Sequence, residues 1–94
     1  MLMISSLPSQ EILEVMVRNR TGVLFEGPAD AVSAYNERGP FDVLPRHSNF
    51  ISLIQRSLII RKEMGGDSIK IDLQSGVLKV SKNAVEIYVG VIQS

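Results

Sequence analysis

The feature of this chain that most restricts its fold is an alternation of apolar and polar side chains with a period of two residues. Such alternation places every second side chain on the same face of a β-sheet, whereas an amphipathic helix repeats about every 3.6 residues. The pattern is clearest in residues 12–17, 68–73 and 84–91. It predicts three β-strands, with Ile71, Val85 and Ile87 among the side chains that face the core.

Further segments are rich in the β-branched and large apolar residues that strands favour. They are residues 22–26, 30–35, 57–62 and 77–81. Residues 49–55 leave two alternatives open, because the spacing of their large apolar side chains suits both a short helix face and a buried strand.

Turn-forming residues separate these segments at short intervals. They are Gly27-Pro28, residues 36–40, Gly65-Gly66-Asp67, Ser75-Gly76 and Lys82-Asn83. The Gly-Gly pair lies between two strand patterns, so it predicts the tip of a hairpin. Many short strands, frequent turns and no long helical pattern predict one all-β domain, either a sandwich or a small barrel.

The charge balance and the lack of cysteine exclude several classes of function. Ten Lys and Arg residues offset ten Asp and Glu residues, so no overall field favours nucleic acid or an anionic membrane surface. Without cysteine the chain has no disulfide framework, thiolate metal site or Cys nucleophile. No apolar run approaches the roughly 20 residues that span a bilayer. We therefore expect no nucleic-acid binding and no direct membrane insertion.

The single histidine, His47, is the only candidate for a catalytic base of the Ser-His-Asp kind. Ser48 is its neighbour and Asp42 lies a short way upstream. A triad needs side chains that converge from separate elements, whereas neighbours on an extended segment point to opposite faces. A zinc site typically needs about four ligands, which one histidine without cysteine does not supply. The sequence therefore predicts no catalytic residue and no metal site.

Nucleotide binding is not predicted either. Gly65-Gly66 lacks the Gly-Lys-Ser/Thr ending and the following helix of a phosphate-binding loop. The basic pairs in residues 18–20 and 61–62 lack interleaved aromatic residues, so we interpret them as solvated strand ends. We expect no cofactor and no ATP binding.

Residues 36–50 form the most unusual segment. Pro40 and Pro45 restrict its backbone, which lowers the conformational entropy lost when a partner docks. The residues alone leave two interpretations open, a rigid connection between two sheets or a binding loop.

Within that segment, residues 44–49 read LPRHSN, which resembles the Leu-Pro-Gly-His-Ala/Ser-Pro motif of the delta/epsilon β-sandwich family of rotary ATP synthases. The flanking segments agree in order and spacing. Residues 22–27 resemble the family's strand ending in Phe-x-Gly, and residues 75–87 resemble its Gly-Gly-ϕ-Leu-Glu-Val and Asn-x-Val-x-Val ending. The resemblance covers residues 12–91.

The resemblance implies a two-sheet antiparallel β-sandwich, small and barrel-like, over residues 12–92, with an N-terminal extension at 1–11 and a tail at 93–94. Family members are non-catalytic rotor subunits of the central stalk, and they link the gamma subunit to the membrane ring. This implies a cytoplasmic location, peripheral at the inner side of an energy-transducing membrane. We expect no C-terminal helical hairpin here, so the resemblance does not carry the family's inhibition or nucleotide sensing over to this chain. The alternative function is a free-standing β-sandwich that binds another protein or a small ligand.

The resemblance also implies which residues contact partners. The turn that faces the membrane ring corresponds to Glu37, Arg38, Gly39 and Pro40, and the segment that faces gamma corresponds to Arg46 and His47.

Three positions depart from the family's pattern. Arg46 stands where the family has Gly, Asn49 where it has Pro, and Ser57 where Gly is common. Because the first two lie in the predicted contact loop, we expect its partner surface to differ from that of the family.

Overall fold

A computed structural model describes residues 12–62 and 66–90. Within these ranges the chain forms strands and no helix. The six strands are β1 (Leu13–Asn19), β2 (Gly22–Asn36), β3 (Gly39–Val43), β4 (Phe50–Lys62), β5 (Ser68–Ser81) and β6 (Ala84–Val89). The prediction of an all-β fold is confirmed. The predicted extension at 1–11 and tail at 93–94 lie outside the described residues.

The strands form one strongly bent sheet in the order β1-β6-β5-β4-β2-β3, and a further pairing of β1 with β2 closes it into a flattened barrel. Neighbouring strands pair antiparallel except β1 and β6, which are parallel. Closure removes most free strand edges and leaves β3 attached to β2 alone among the described strands.

Three of the strands are longer than the alternation predicted, because each continues from one layer of the sandwich into the other. The first half of β2 pairs with β1, and its second half pairs with β3 and β4. The register shifts between Ile54 and Arg56, where β4 bends, and Arg56 takes a φ of 72° there. Such irregularities allow a strand to turn the corner between two layers.

Two of the predicted turns, Gly27-Pro28 and Ser75-Gly76, are wrong because they lie inside strands that continue from one layer into the other. Gly27 and Pro28 lie inside β2 and pair with β1 on one side only, where the missing N–H of a proline is tolerated. Gly76 lies inside β5, and a Cβ atom there would be 2.8 Å from the backbone oxygen of Tyr88. This glycine is required by the close approach of β6 and not by a turn.

Strand β3 was not predicted, because residues 36–40 read as one turn. The turn is restricted to Glu37 and Arg38, where the backbone N–H of Arg38 donates a hydrogen bond to Oδ1 of Asn36 at 2.8 Å. The chain then pairs with β2 again from Gly39 onward, with Pro40 opposite Tyr35. The predicted turn at Lys82-Asn83 is confirmed, with φ values of 50° and 66° that fit a two-residue type I′ hairpin.

The core lies between the two layers and is lined by aliphatic side chains. Val85 and Ile87 are fully buried, as predicted, whereas Ile71 is only partly buried and packs against the edge of the core. The ambiguous segment 49–55 is a strand, since Phe50–Ile54 opens β4. A hairpin between β4 and β5 agrees with the antiparallel pairing of Arg61 with Ser68, although Gly65 at its predicted tip lies outside the described residues.

Candidate partner-binding surface

The six residues predicted to contact partners lie in two groups at the two ends of β3. Glu37 and Arg38 form the turn before the strand, with Gly39 and Pro40 as its first residues, and Arg46 and His47 follow its end. A strand advances about 3.3 Å per residue, so the five residues of β3 separate the two groups by roughly 16 Å. The groups form two separate surfaces of the domain.

The loop after β3 opens with a tight turn at residues 44–47. The backbone N–H of His47 donates to the carbonyl of Leu44 at 3.1 Å, and Arg46 has a φ of 69°. Proline at the second position and a positive φ at the third are the features of a type II turn, which favours glycine at the third position. The turn therefore explains why glycine suits the position that Arg46 occupies.

Hydrogen bonds from distant residues hold this loop against the β5–β6 turn. The backbone N–H of Arg46 donates to Oδ1 of Asn83 at 2.6 Å, and the backbone N–H of Lys82 donates to Oδ1 of Asn49 at 3.1 Å. The carbonyl of Asn83 accepts a further bond from the N–H of Glu14 at 2.8 Å. Asn49, which departs from the family's pattern, thus acts as a structural link between the two turns.

His47 is exposed on this loop and packs against an aromatic pair. Its ring centroid lies 4.8 Å from that of Phe50, and Phe50 meets Phe41 edge to face at 6.0 Å. The nearby carboxylate of Asp42 instead accepts a hydrogen bond from the hydroxyl of Ser33 at 2.6 Å. The imidazole is therefore exposed, and the hydrogen bonds that the structure gives for His47 and Asp42 go to Ser48 and Ser33 and do not join the two side chains.

The turn at the other end of β3 presents two opposite charges. Glu37 and Arg38 are exposed, and the guanidinium of Arg56 lies 5.4 Å from the ring centroid of Tyr35 on the adjoining strands. A groove of about 370 Å³ separates the turn from residues 51–55 of β4. Shape and local charge would therefore govern binding here.

The outer face of the sheet carries an apolar row that the sequence analysis did not identify. Leu53, Val77 and Tyr88 are register partners on β4, β5 and β6, and they are 74%, 37% and 49% exposed. Alternation placed Tyr88 correctly on the outer face, but the ambiguity of residues 49–55 concealed Leu53.

Two classes of site find no support in the part of the chain that the structure describes. No three His, Asp or Glu side chains of residues 12–62 and 66–90 are grouped so that they could hold a metal ion. No helix in those ranges is long and apolar enough to cross a membrane.

Comparison with solved structures shows where this fold occurs. A chain in the cryo-EM structure of the Euglena gracilis mitochondrial ATP synthase, OSCP/F1/c-ring in rotational state 1, superimposes with a TM-score of 0.77 at 16% identity, over 84% of this chain and 51% of that one. A chain in the Tetrahymena thermophila mitochondrial ATP synthase central stalk/c-ring structure gives 0.67 at 19% identity, over 82% and 62%. At these identities the likeness concerns the fold.

Sequence comparison extends the likeness to curated relatives and to a family. The ATP synthase epsilon chains of a Sulfurovum species and a Nitratiruptor species are 26% and 29% identical over 72 and 73 residues. These alignments cover 77% and 78% of this chain, which spans 56% and 57% of the relatives' length. The model of the family described as ATP synthase, Delta/Epsilon chain, beta-sandwich domain matches residues 12–93. The chain therefore belongs to the family of ATP synthase delta/epsilon chains and corresponds to their β-sandwich domain.

Proposed function

We propose that this domain is part of a non-catalytic rotor subunit of the epsilon type, which links the gamma subunit to the membrane ring in the central stalk of a rotary ATP synthase. The observation that carries the proposal is the family match over residues 12–93. Two similar folds come from structures whose descriptions name the c-ring, and one of these also names the central stalk. A subunit with this role lies at the inner, cytoplasmic side of an energy-transducing membrane and binds no cofactor or ATP.

The arrangement of the two surfaces supports a linking role. We assign the turn formed by Glu37, Arg38, Gly39 and Pro40 to the membrane ring, and the loop with Arg46 and His47 to gamma. Both surfaces are fixed to the closed barrel, one through the pairing of β3 with β2 and the other through Asn49 and Asn83. A rigid body with two separate contact surfaces holds two partners in a constant relative orientation, which rotation of the stalk as one unit requires.

A paired charge reversal tests the ring-facing surface. Glu37→Lys with Arg38→Glu keeps the net charge constant and reverses the local charge pattern on exposed positions. The variant is expected to keep its circular dichroism spectrum and melting temperature but to assemble poorly with a preparation of gamma and the ring. A single exposed charge contact contributes only about 0–1 kcal/mol, so both positions are changed together.

The matched control is the reversal Lys70→Asp with Asp72→Lys on β5. These side chains are 64% and 85% exposed and form a weak ion pair at 3.9 Å, so the control also preserves the net charge. The control is expected to assemble normally. Normal assembly of the Glu37/Arg38 variant at low and moderate salt would remove this turn from the interface and leave it as a structural connection.

A further inference from the structure

The ring-facing turn lies beyond the end of the backbone pairing between β2 and β4. The register of these two strands ends at the pair of Tyr35 with Gln55, so Asn36 is the first residue of β2 past the ladder. A groove of about 370 Å³ then separates the turn from residues 51–55 of β4. On this side, support for the turn therefore has to come from side chains that reach across the groove.

Asn36 makes the contacts that cross the groove. Its Nδ2 donates to Oγ of Ser52 at 3.4 Å, and its backbone carbonyl accepts a bond from Nε2 of Gln55 at 3.4 Å. Its Oδ1 accepts the backbone N–H of Arg38 within the turn at 2.8 Å. The hydroxyl of Ser52 donates its own proton to the carbonyl of Leu53 at 3.0 Å, which leaves its oxygen to act as the acceptor. One side-chain amide thus joins the turn to β4.

The turn by itself does not determine its tilt against the sheet. Its four residues run from Asn36 to Gly39, and asparagine at the first position with glycine at the fourth is typical of a type I turn. The positive φ falls on Gly39, at 119°, and not on the two central residues as in a type I′ hairpin. Type I turns match the twist of the flanking strands poorly. The orientation of this turn therefore depends on what holds it from outside.

We propose that Asn36 is a positioning residue for the ring-facing surface. Its amide holds Glu37 and Arg38 at a set distance from β4, so that their two charges are presented in one orientation. Without the amide the turn would sample several tilts, and only the fraction in the binding orientation would engage the ring. This inference rests on the proposed function, because the ring contact is part of that proposal.

Two substitutions remove the tether from opposite sides of the groove. Asn36→Ala removes both bonds of the amide and is expected to weaken binding to a preparation of the membrane ring about three- to tenfold, the equivalent of about one hydrogen bond. Ser52→Ala removes only the long bond across the groove and is expected to weaken ring binding about twofold. Ser52→Thr keeps the hydroxyl and is expected to bind the ring normally.

Two further measurements separate positioning from a general loss of stability. The double variant, Asn36→Ala with Ser52→Ala, is expected to bind the ring no more weakly than Asn36→Ala alone, because the two substitutions remove a shared bond. Binding to a preparation of gamma is expected to stay unchanged in each variant, because Asn49 and Asn83 hold the His47 loop independently.

Asn19→Ala is the matched control, because Asn19 has a similar role in the turn at the other end of β2. Its Oδ1 accepts the backbone N–H groups of Thr21 and Gly22 at 2.8 and 3.1 Å. The control is expected to lower the melting temperature by a similar amount and to bind the ring normally. Solvent exchange of the Arg38 backbone amide should be faster in Asn36→Ala and unchanged in Asn19→Ala.

Three outcomes would overturn the inference. The first is normal ring binding by Asn36→Ala while the Glu37→Lys with Arg38→Glu variant loses the ring, which would leave the proposed function in place. The second is an equal loss of ring and gamma binding in both Asn36→Ala and Asn19→Ala, which would mean a general loss of stability. The third is normal ring binding by both Asn36→Ala and the charge reversal, which would also remove the turn from the proposed interface.

Discussion

Arg46→Gly should be more stable than Arg46→Ala, because the backbone at the centre of the candidate gamma-facing loop is left-handed at this residue. Arg46 occupies the third position of the type II turn at residues 44–47 with a φ of 69°. A left-handed backbone costs an L-residue roughly 1–2 kcal/mol, and glycine escapes this cost. Glycine also has more conformational freedom in the unfolded chain, and this offsets about 0.4–1 kcal/mol of its advantage over alanine. At the midpoints of these two ranges, the net gain for glycine over alanine at this position is about 0.8 kcal/mol.

The comparison with Arg46→Ala separates the backbone effect from the loss of the arginine side chain. Both variants lack that side chain, and both keep the backbone N–H that donates to Asn83. In a domain of this size about 1 kcal/mol shifts the melting temperature by roughly 4–8 °C. Arg46→Gly should therefore melt about 3–6 °C above Arg46→Ala in thermal denaturation followed by circular dichroism. Equal melting temperatures, or a lower one for the glycine variant, would refute the reasoning from the turn.

Three further predictions follow from the core, from β5 and from the lack of a nucleotide site. Ile87→Ala removes a fully buried side chain and should cost about 2–5 kcal/mol, while Ile71→Ala at the rim should cost less than half as much; equal losses in urea unfolding would show that the strand register is wrong. Gly76→Ala places a Cβ 2.8 Å from the backbone oxygen of Tyr88 and should destabilise the domain by about 1–3 kcal/mol, and an unchanged midpoint would contradict that close approach. The isolated chain should show no ATP affinity in calorimetric titration, and a micromolar dissociation constant would contradict the absence of a phosphate-binding loop.

Alternation predicted the strands well because it reports burial on one face of a sheet, and that burial is the main constraint on this fold. It placed Val85 and Ile87 correctly in the core. The turn-forming residues were less informative. Pro28 lies at an open strand edge, where proline is tolerated, and Gly76 allows the close approach of β6. Those roles depend on which strands become neighbours, which a local pattern does not contain.

The sequence indicated which loop carries the candidate site but not the distant residues that hold this loop in place. The resemblance identified the loop with Arg46 and His47, and the structure shows why glycine suits the position before His47. It did not identify Asn83, whose side chain bonds a residue 37 positions away. The apolar row on the outer face was also missed, because the exposure of Leu53 follows from the closed barrel and not from its neighbours in the chain.

The most direct test of the proposed role is to isolate the chain together with its native partners. A tagged chain, expressed in its own cells and purified gently from solubilised membranes, is expected to bring down the gamma subunit and the membrane ring of an ATP synthase in comparable amounts. The Glu37→Lys with Arg38→Glu variant should retain gamma and lose the ring, because the reversed turn and the His47 loop lie at opposite ends of β3. Recovery of the chain with unrelated proteins and without either stalk partner would contradict the assignment and favour a free-standing binding module.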